Sequence, residues 1–221
     1  MSNRVLLPLA LLASLLAGCS LLPPTVRRSL VEPYKPINVY LRQAVLPQNI
    51  RRVAVLPIPQ SRDNTAQAEA VELLQPLLID ELNKRKTVEV IALTTAQVQE
   101  LTGKASWTPE ENLPHDFFER LRDKVGCDAV LFASLTTFES YPPLRTGWKA
   151  RLIDCAQHQT WWAVDEVFDA GMESVAAAAE AYARTGLSMP NPLLTDAGIL
   201  HSPRRFGQYT ANAVAGTLPE R

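Results

Sequence analysis

Apolar side chains recur along this chain with two periods, and the alternation between them lays out a mixed architecture. Arg51 to Ile58 (RRVAVLPI) is a short β-branched run closed by Pro57 and Pro59, the pattern of a strand covered on both faces. From 64 to 86 the apolar positions Val71, Leu74, Leu78 and Leu82 step by three and four and end in Lys84, Arg85 and Lys86, which predicts a helix with a basic C-terminus. Pro76 inside it removes a backbone donor, so a kink or restart is expected near Gln75. Thr87 to Leu93 returns to strand character, and Thr94-Thr95 opens a short helix to about Leu101. A polar loop through Gly103, Trp107, Pro109 and Pro114 follows. His115 to Val125 then carries Phe117, Leu121 and Val125 on one stripe, with Gly126 as its stop.

Three strands come next, 128–141, 147–154 and 160–169, separated by short turns, so an antiparallel meander is the economical topology. On the last of them Trp162, Val164 and Phe168 share the face expected to be core, with Asp165 and Asp169 opposite. The alanine-rich stretch Glu173 to Arg184 predicts a helix ending at Gly186. Beyond the linker prolines Pro190 and Pro192, Ser202-Pro203 starts a final amphipathic helix with Phe206, Thr210, Ala213 and Val214 inward. The expected fold class is α/β to α+β: a single domain with a mixed five-stranded sheet, β-α-β-α-β-β-β-α, and helices packed against it.

The ends of the chain differ from this body. Met1 to Cys19 has Arg4 followed by a mostly apolar run of 12 residues from Val5 to Leu16, then Ala17 and Gly18. That run is shorter than the roughly 20 residues a transmembrane helix needs and reads as an export signal. Five of the 17 prolines fall between 19 and 50, which predicts an extended, semi-rigid spacer, with Asn38 to Leu41 able to add a short edge strand. The expected organisation is therefore a signal peptide at 1–18, a proline-rich tether at 19–50, an α/β domain at 51–186, and a C-terminal linker with an amphipathic helix packing on the domain at 187–221.

Composition narrows the functional classes. Of 221 residues, 47% are hydrophobic and 20% charged, as in globular chains, and the net charge of −1 provides no basic field for nucleic acid. Nine glycines, with no G-x-G-x-x-G, P-loop or G-x-S-x-G, leave nucleotide-binding and hydrolase readings without a handle, and no cofactor is expected. His115, His158 and His201 stand at no zinc spacing from one another or from a cysteine, so no metal site is expected either. Asp165, Glu166 and Asp169 lie near a strand end and read as a solvated face rather than a catalytic pair. The arginine pairs Arg27-Arg28, Arg51-Arg52 and Arg204-Arg205 are far apart in sequence and read as solvated. Trp107, Trp148, Trp161 and Trp162 are more informative. Adjacent Trp161 and Trp162 are expected on opposite faces of their strand, which leaves Trp161, together with Trp107, as candidate interface anchors.

Leu16-Ala17-Gly18-Cys19 resembles the lipobox of bacterial lipoproteins, in which a thioether lipid is placed on the cysteine and the leader is cleaved before it. The resemblance makes Cys19 the expected lipidation site, with palmitate-type acyl chains anchoring the protein in a membrane. Ser20, where an Asp would favour inner-membrane retention, implies the outer membrane with the body facing the periplasm. That compartment is oxidising. A hairpin centred near Pro143, however, places Cys127 opposite residue 159, so Cys127 and Cys155 are each expected as small buried hydrophobes rather than as partners.

The lipobox, the strand Val53 to Pro57, the Gly126-Cys127-Asp128-Ala129-Val130-Leu131 entry to the third strand and the long hairpin after it together resemble periplasmic lipoproteins of the fold shared by the curli-secretion lipoprotein and the amino-terminal domain of TolB. Penicillin-binding-protein activator lipoproteins and a ring-forming exopolysaccharide-export lipoprotein are similar in outline. The resemblance runs from about Arg51 to Gly186. It implies a non-enzymatic assembly or adaptor component of an envelope export or secretion system, with a membrane, an envelope protein and a second copy of the chain as partners. An activator of a cell-wall synthase and a periplasmic enzyme of unknown type are the alternatives. Lys149 and Arg151 interrupt the middle strand of the meander, which argues against hairpins that insert in a bilayer.

Overall fold

A computed structural model describes residues 34–60, 64–185 and 196–221. Six strands form one sheet: β1 (Val39–Leu41), β2 (Arg52–Val55), β3 (Glu89–Ala92), β4 (Ala129–Glu139), β5 (Arg145–Asp154) and β6 (Thr160–Asp169). Five α-helices accompany them: α1 (Thr65–Arg85), α2 (Thr95–Thr102), α3 (Phe117–Val125), α4 (Glu173–Thr185) and α5 (Pro203–Ala215), with a 3-10 turn at Asp196–His201. The spatial order is β1-β6-β5-β4-β2-β3. β2 pairs in parallel with β3 and β4, and the rest of the sheet is antiparallel. The mixed sheet and its helices make a single α+β domain, as expected, with one strand more than the five anticipated.

The extra strand comes from the proline-rich stretch. That stretch does not stand off as a spacer as far as Ile50: Val39 to Leu41 pair with Val164 to Trp162 at the sheet edge, and Leu46 and Ile50 are buried in the core. Prolines and packing are compatible here because Pro36 and Pro47 lie outside Val39–Leu41, so the strand keeps its N–H groups.

Alternation along the central strands feeds two apolar clusters. Val53, Val55 and Leu131 face α1, α4 and α5, while Ala54, Leu56, Val130 and Phe132 face α2 and α3. Helices therefore lie on both faces at the β2–β4 end. Towards β5 and β6 the second face opens, with Lys149 and Arg151 half-buried and Asp165 and Val167 exposed.

The caps follow the local sequence. Thr94 and Gln97 close a reciprocal capping box on α2, Ser202 accepts from the Arg205 N–H at the start of α5, and Gly126 ends α3 in the left-handed region at φ 71°. α1 runs through Pro76 without the expected restart. An interior proline costs about 3 kcal/mol. The buried Leu74, Leu77 and Leu78 beside it each contribute about 1.5–3 kcal/mol, so packing wins.

The hairpin register departs from expectation. The β4–β5 turn is centred one residue before Pro143, and Thr136 bulges out between Leu135↔Trp148 and Thr137↔Gly147. Beyond the bulge Ala129 pairs with Asp154, which brings the segments around Cys127 and Cys155 together.

Candidate functional site

Cys19 and the three residues before it, Leu16 to Gly18, lie outside the described residues, as do the linker residues 186–195. The described chain begins at Tyr34, and contacts of residues 34–38 fasten this stretch to the domain. β6 alternates so that Trp162, Val164, Glu166 and Phe168 all project into the core layer. Glu166 is thus a buried carboxylate rather than part of the expected solvated face. One oxygen accepts from the Tyr34 hydroxyl at 2.5 Å; the other accepts from the backbone N–H groups of Ile37 at 2.9 Å and Asn38 at 3.1 Å. The Tyr34 ring meets Phe168 edge-on at 5.7 Å, and its N–H donates to the Ser174 carbonyl. Burial, then the hydrogen bond to Glu166 and its charge, push the Tyr34 phenol above its ordinary range. The arrangement is a clamp: one carboxylate gathers three donors from the incoming chain and holds β1 against β6. Asp169, by contrast, pairs with Arg145 at 2.8 Å beside the solvent.

Of the two tryptophans expected as interface anchors, Trp161 is the residue bulged out of the β5–β6 ladder between Leu152↔Trp162 and Ile153↔Thr160. The bulge breaks strict alternation, so Trp161 and Trp162 both join the same core cluster instead of opposite faces. Trp161 is 9% exposed, with the Arg42 guanidinium 5.5 Å from its ring centre. Trp162 donates to Thr217 and Trp148 to Thr210, tying β6 and β5 to the C-terminal segment. Trp107 is half-buried: it packs edge-on against Phe117, donates to the Thr102 hydroxyl at 2.7 Å and carries the Lys104 ammonium over its ring. Both side chains thus make contacts within their own chain.

Trp107 orders the polar loop that brings Glu110 over the open face of the sheet. Glu110 pairs with Lys149 at 2.8 Å and Arg151 at 3.4 Å, above a hollow of about 10 Å³ floored by Phe132, which has room for a single water. Burial raises the Glu110 carboxyl, but the Lys149 hydrogen bond and charge outweigh it and hold it below its ordinary range. Among the described residues no group of three or more His, Cys, Asp or Glu is placed to hold a metal ion. His158 stacks on Phe118, with ring centres 4.7 Å apart.

Cys127 and Cys155 meet where the sequence reading kept them apart. Both are buried at 1% exposure and unbonded, with their sulfurs 3.9 Å apart. The thiol–thiol contact holds Cys127 below the ordinary thiol range and, with burial, pushes Cys155 above it. Neither this pair nor the Glu166 clamp was foreseen. The i, i+2 step from Val164 to Glu166 to Phe168 was a signal for the clamp; nothing local marked the cysteine pair.

No known protein family matches the chain, and no curated protein matches it. Several solved structures are similar to it in part. The PelC dodecamer from Paraburkholderia phytofirmans is 13% identical, with 76% of this chain and 94% of that chain covered at a TM-score of 0.41. Lipoprotein GNA1162 from Neisseria meningitidis is 19% identical, covering 53% and 79% at 0.31. TolB from Acinetobacter baumannii is 12% identical, covering 66% and 30% at 0.30.

Proposed function

We propose that this chain is a lipoprotein anchored in the outer membrane through Cys19, whose periplasmic domain acts as a non-enzymatic assembly or adaptor component of an envelope export or secretion system. The observation that carries the reading is the tetrapeptide Leu16 to Cys19 directly after an apolar run too short to span a bilayer. A single acyl chain holds a protein only marginally, so stable anchoring takes the two or three chains that such cysteines carry. Tyr34 lies fifteen residues beyond Cys19, an extended reach of at most about 50 Å, so the domain works close to its membrane. The buried carboxylates Glu81 and Glu166 are taken up by donors from their own fold, which favours a scaffold over a catalyst.

Fatty-acid labelling and membrane fractionation of wild type and Cys19→Ser test the anchor. Wild type is expected to take up label and sediment with outer membranes, and the variant to do neither. Equal labelling of both, or an unmodified amino terminus on the natural protein, overturns the reading. Crosslinking in cells tests the role: a discrete oligomer or an export partner supports it, whereas a monomer joined to a cell-wall synthase replaces it with the activator alternative.

A further inference from the structure

Cys127 precedes β4 by two residues, and Cys155 follows β5 directly. The backbone around them is fixed from three sides: the Cys155 N–H donates to the Asp128 carbonyl at 2.9 Å, the Asp128 N–H to Arg52, and the Asp154 N–H to Gln159. Both side chains enter the apolar cluster of Phe118, Val130 and Ile153, where a disulfide, having no strong polar group, needs no hydrogen-bonding partner. A sulfur separation of 3.9 Å is contact distance, against about 2.05 Å in a disulfide bond.

We propose that Cys127 and Cys155 form an intramolecular disulfide in the exported protein, stapling the start of β4 to the β5–β6 turn. The inference rests on the export reading, because the compartment beyond the inner membrane favours disulfides. The oxidant is an exogenous disulfide, either that of an envelope thiol oxidoreductase or oxidised glutathione. One cysteine loses its proton, attacks a sulfur of that disulfide and expels a thiolate, leaving a mixed disulfide. The second cysteine, deprotonated in turn, attacks the protein-side sulfur and expels the other thiolate. Two protons and two electrons leave the cysteine pair, and the oxidant becomes two thiols. At 1% exposure neither thiol meets an oxidant in the folded domain, so the exchange belongs to folding, before α3 closes over the site.

The full chain carrying Cys19→Ser has Cys127 and Cys155 as its only thiols. It is reduced in denaturant, refolded with reduced and oxidised glutathione, quenched in acid, then unfolded and alkylated for mass measurement. The expected product is monomeric, lighter than the reduced chain by two hydrogens and unalkylated. Its melting temperature falls by roughly 5 °C or more on adding reductant. The Cys127→Ala/Cys155→Ala double variant does not respond to reductant, which separates the bond from any cost of the substitutions. Two alkyl groups on a cooperatively melting refolded protein overturn the proposal. Alkylation of wild type taken from cells separates the two readings. Membrane-bound protein with Cys127 and Cys155 alkylated refutes the disulfide and leaves the anchor, whereas unlipidated cytosolic protein refutes the anchor while the refolding result still decides the disulfide.

Discussion

Glu166 shows how one side chain can hold the first described residues to the sheet. Its two oxygens accept from three donors, 128 to 132 residues away in sequence, and removing it leaves the two N–H groups and the hydroxyl partly buried without an acceptor. Hydrogen bonds to charged groups contribute about 1.5–3 kcal/mol each, and losses within one network overlap, so Glu166→Ala is expected to cost about 3 kcal/mol in denaturant unfolding. Glu166→Gln is the informative comparison. Its amide oxygen accepts from both N–H groups while its NH₂ donates to the Tyr34 oxygen, so it should retain most of the stability. An Ala variant no worse than the Gln variant would show that the clamp contributes little. Gly147 is decisive for a different reason. A Cβ there lies 2.2 Å from the Thr136 hydroxyl oxygen and 2.9 Å from the Thr137 backbone nitrogen, because the bulge folds back over it. Gly147→Ala therefore overpacks a backbone as well as the Thr136 side chain, and a loss of about 1–3 kcal/mol is expected by the same measurement.

At the scale of elements, three helices are joined at one buried carboxylate. Glu81 on α1 accepts from Lys84 at 2.6 Å, from the Asn212 amide of α5 at 2.8 Å and, at 3.5 Å, from the Tyr182 hydroxyl of α4. Burial pushes its carboxyl up, but the hydrogen bonds from Lys84 and Asn212 outweigh that and hold it below its ordinary value of 4.5. In the acid range the unfolded chain then binds this proton more readily than the folded one. The stabilisation is complete above 4.5 and is lost as pH falls below it through the folded value. Melting curves from neutral pH downward should show wild type losing stability more steeply than Glu81→Gln; parallel curves would remove Glu81 from the acid response. Such junctions were the part of the fold hardest to read from the chain. The limits of β6, the helix start at Thr94-Thr95 and the Gly126 stop were all visible in local spacing. Glu166 lay on the core face by simple alternation, yet its donors sit on a segment that its prolines marked as a spacer. The hairpin register escaped because the turn is centred at Pro142 rather than Pro143, which moves each partner by two, and the bulged Thr136 moves those beyond it by one more; no composition signal distinguishes Thr136 from Thr137. The same shift put Cys155 beside Cys127, and the same kind of bulge put Trp161 into the core.

For the molecule as a whole, these attachments imply an uneven distribution of stability. β4 and β5 pair along almost their full lengths in the middle of the sheet, with apolar clusters on both sides of β4, whereas β1 is held by three residue pairs and the Glu166 clamp. Opening β1 exposes little core, since Tyr40 and Leu41 are already exposed, so its cost is a fraction of the cost of global unfolding. Native-state hydrogen exchange is therefore expected to rank Val130 and Leu152 among the slowest amides, near the global limit, and Ile37 and Asn38 well below it. Glu166→Ala should speed Ile37 and Asn38 far beyond its effect on β4. If instead all these amides exchange at one rate, β1 opens only with the whole sheet and the clamp is an integral part of the core. The outcome bears on the anchoring proposal, because β1 is the described strand nearest in sequence to Cys19. A separately opening β1 would lengthen the tether by releasing residues 34–41 while leaving β2 to β6 assembled, so the reach of the anchored domain would depend on one carboxylate.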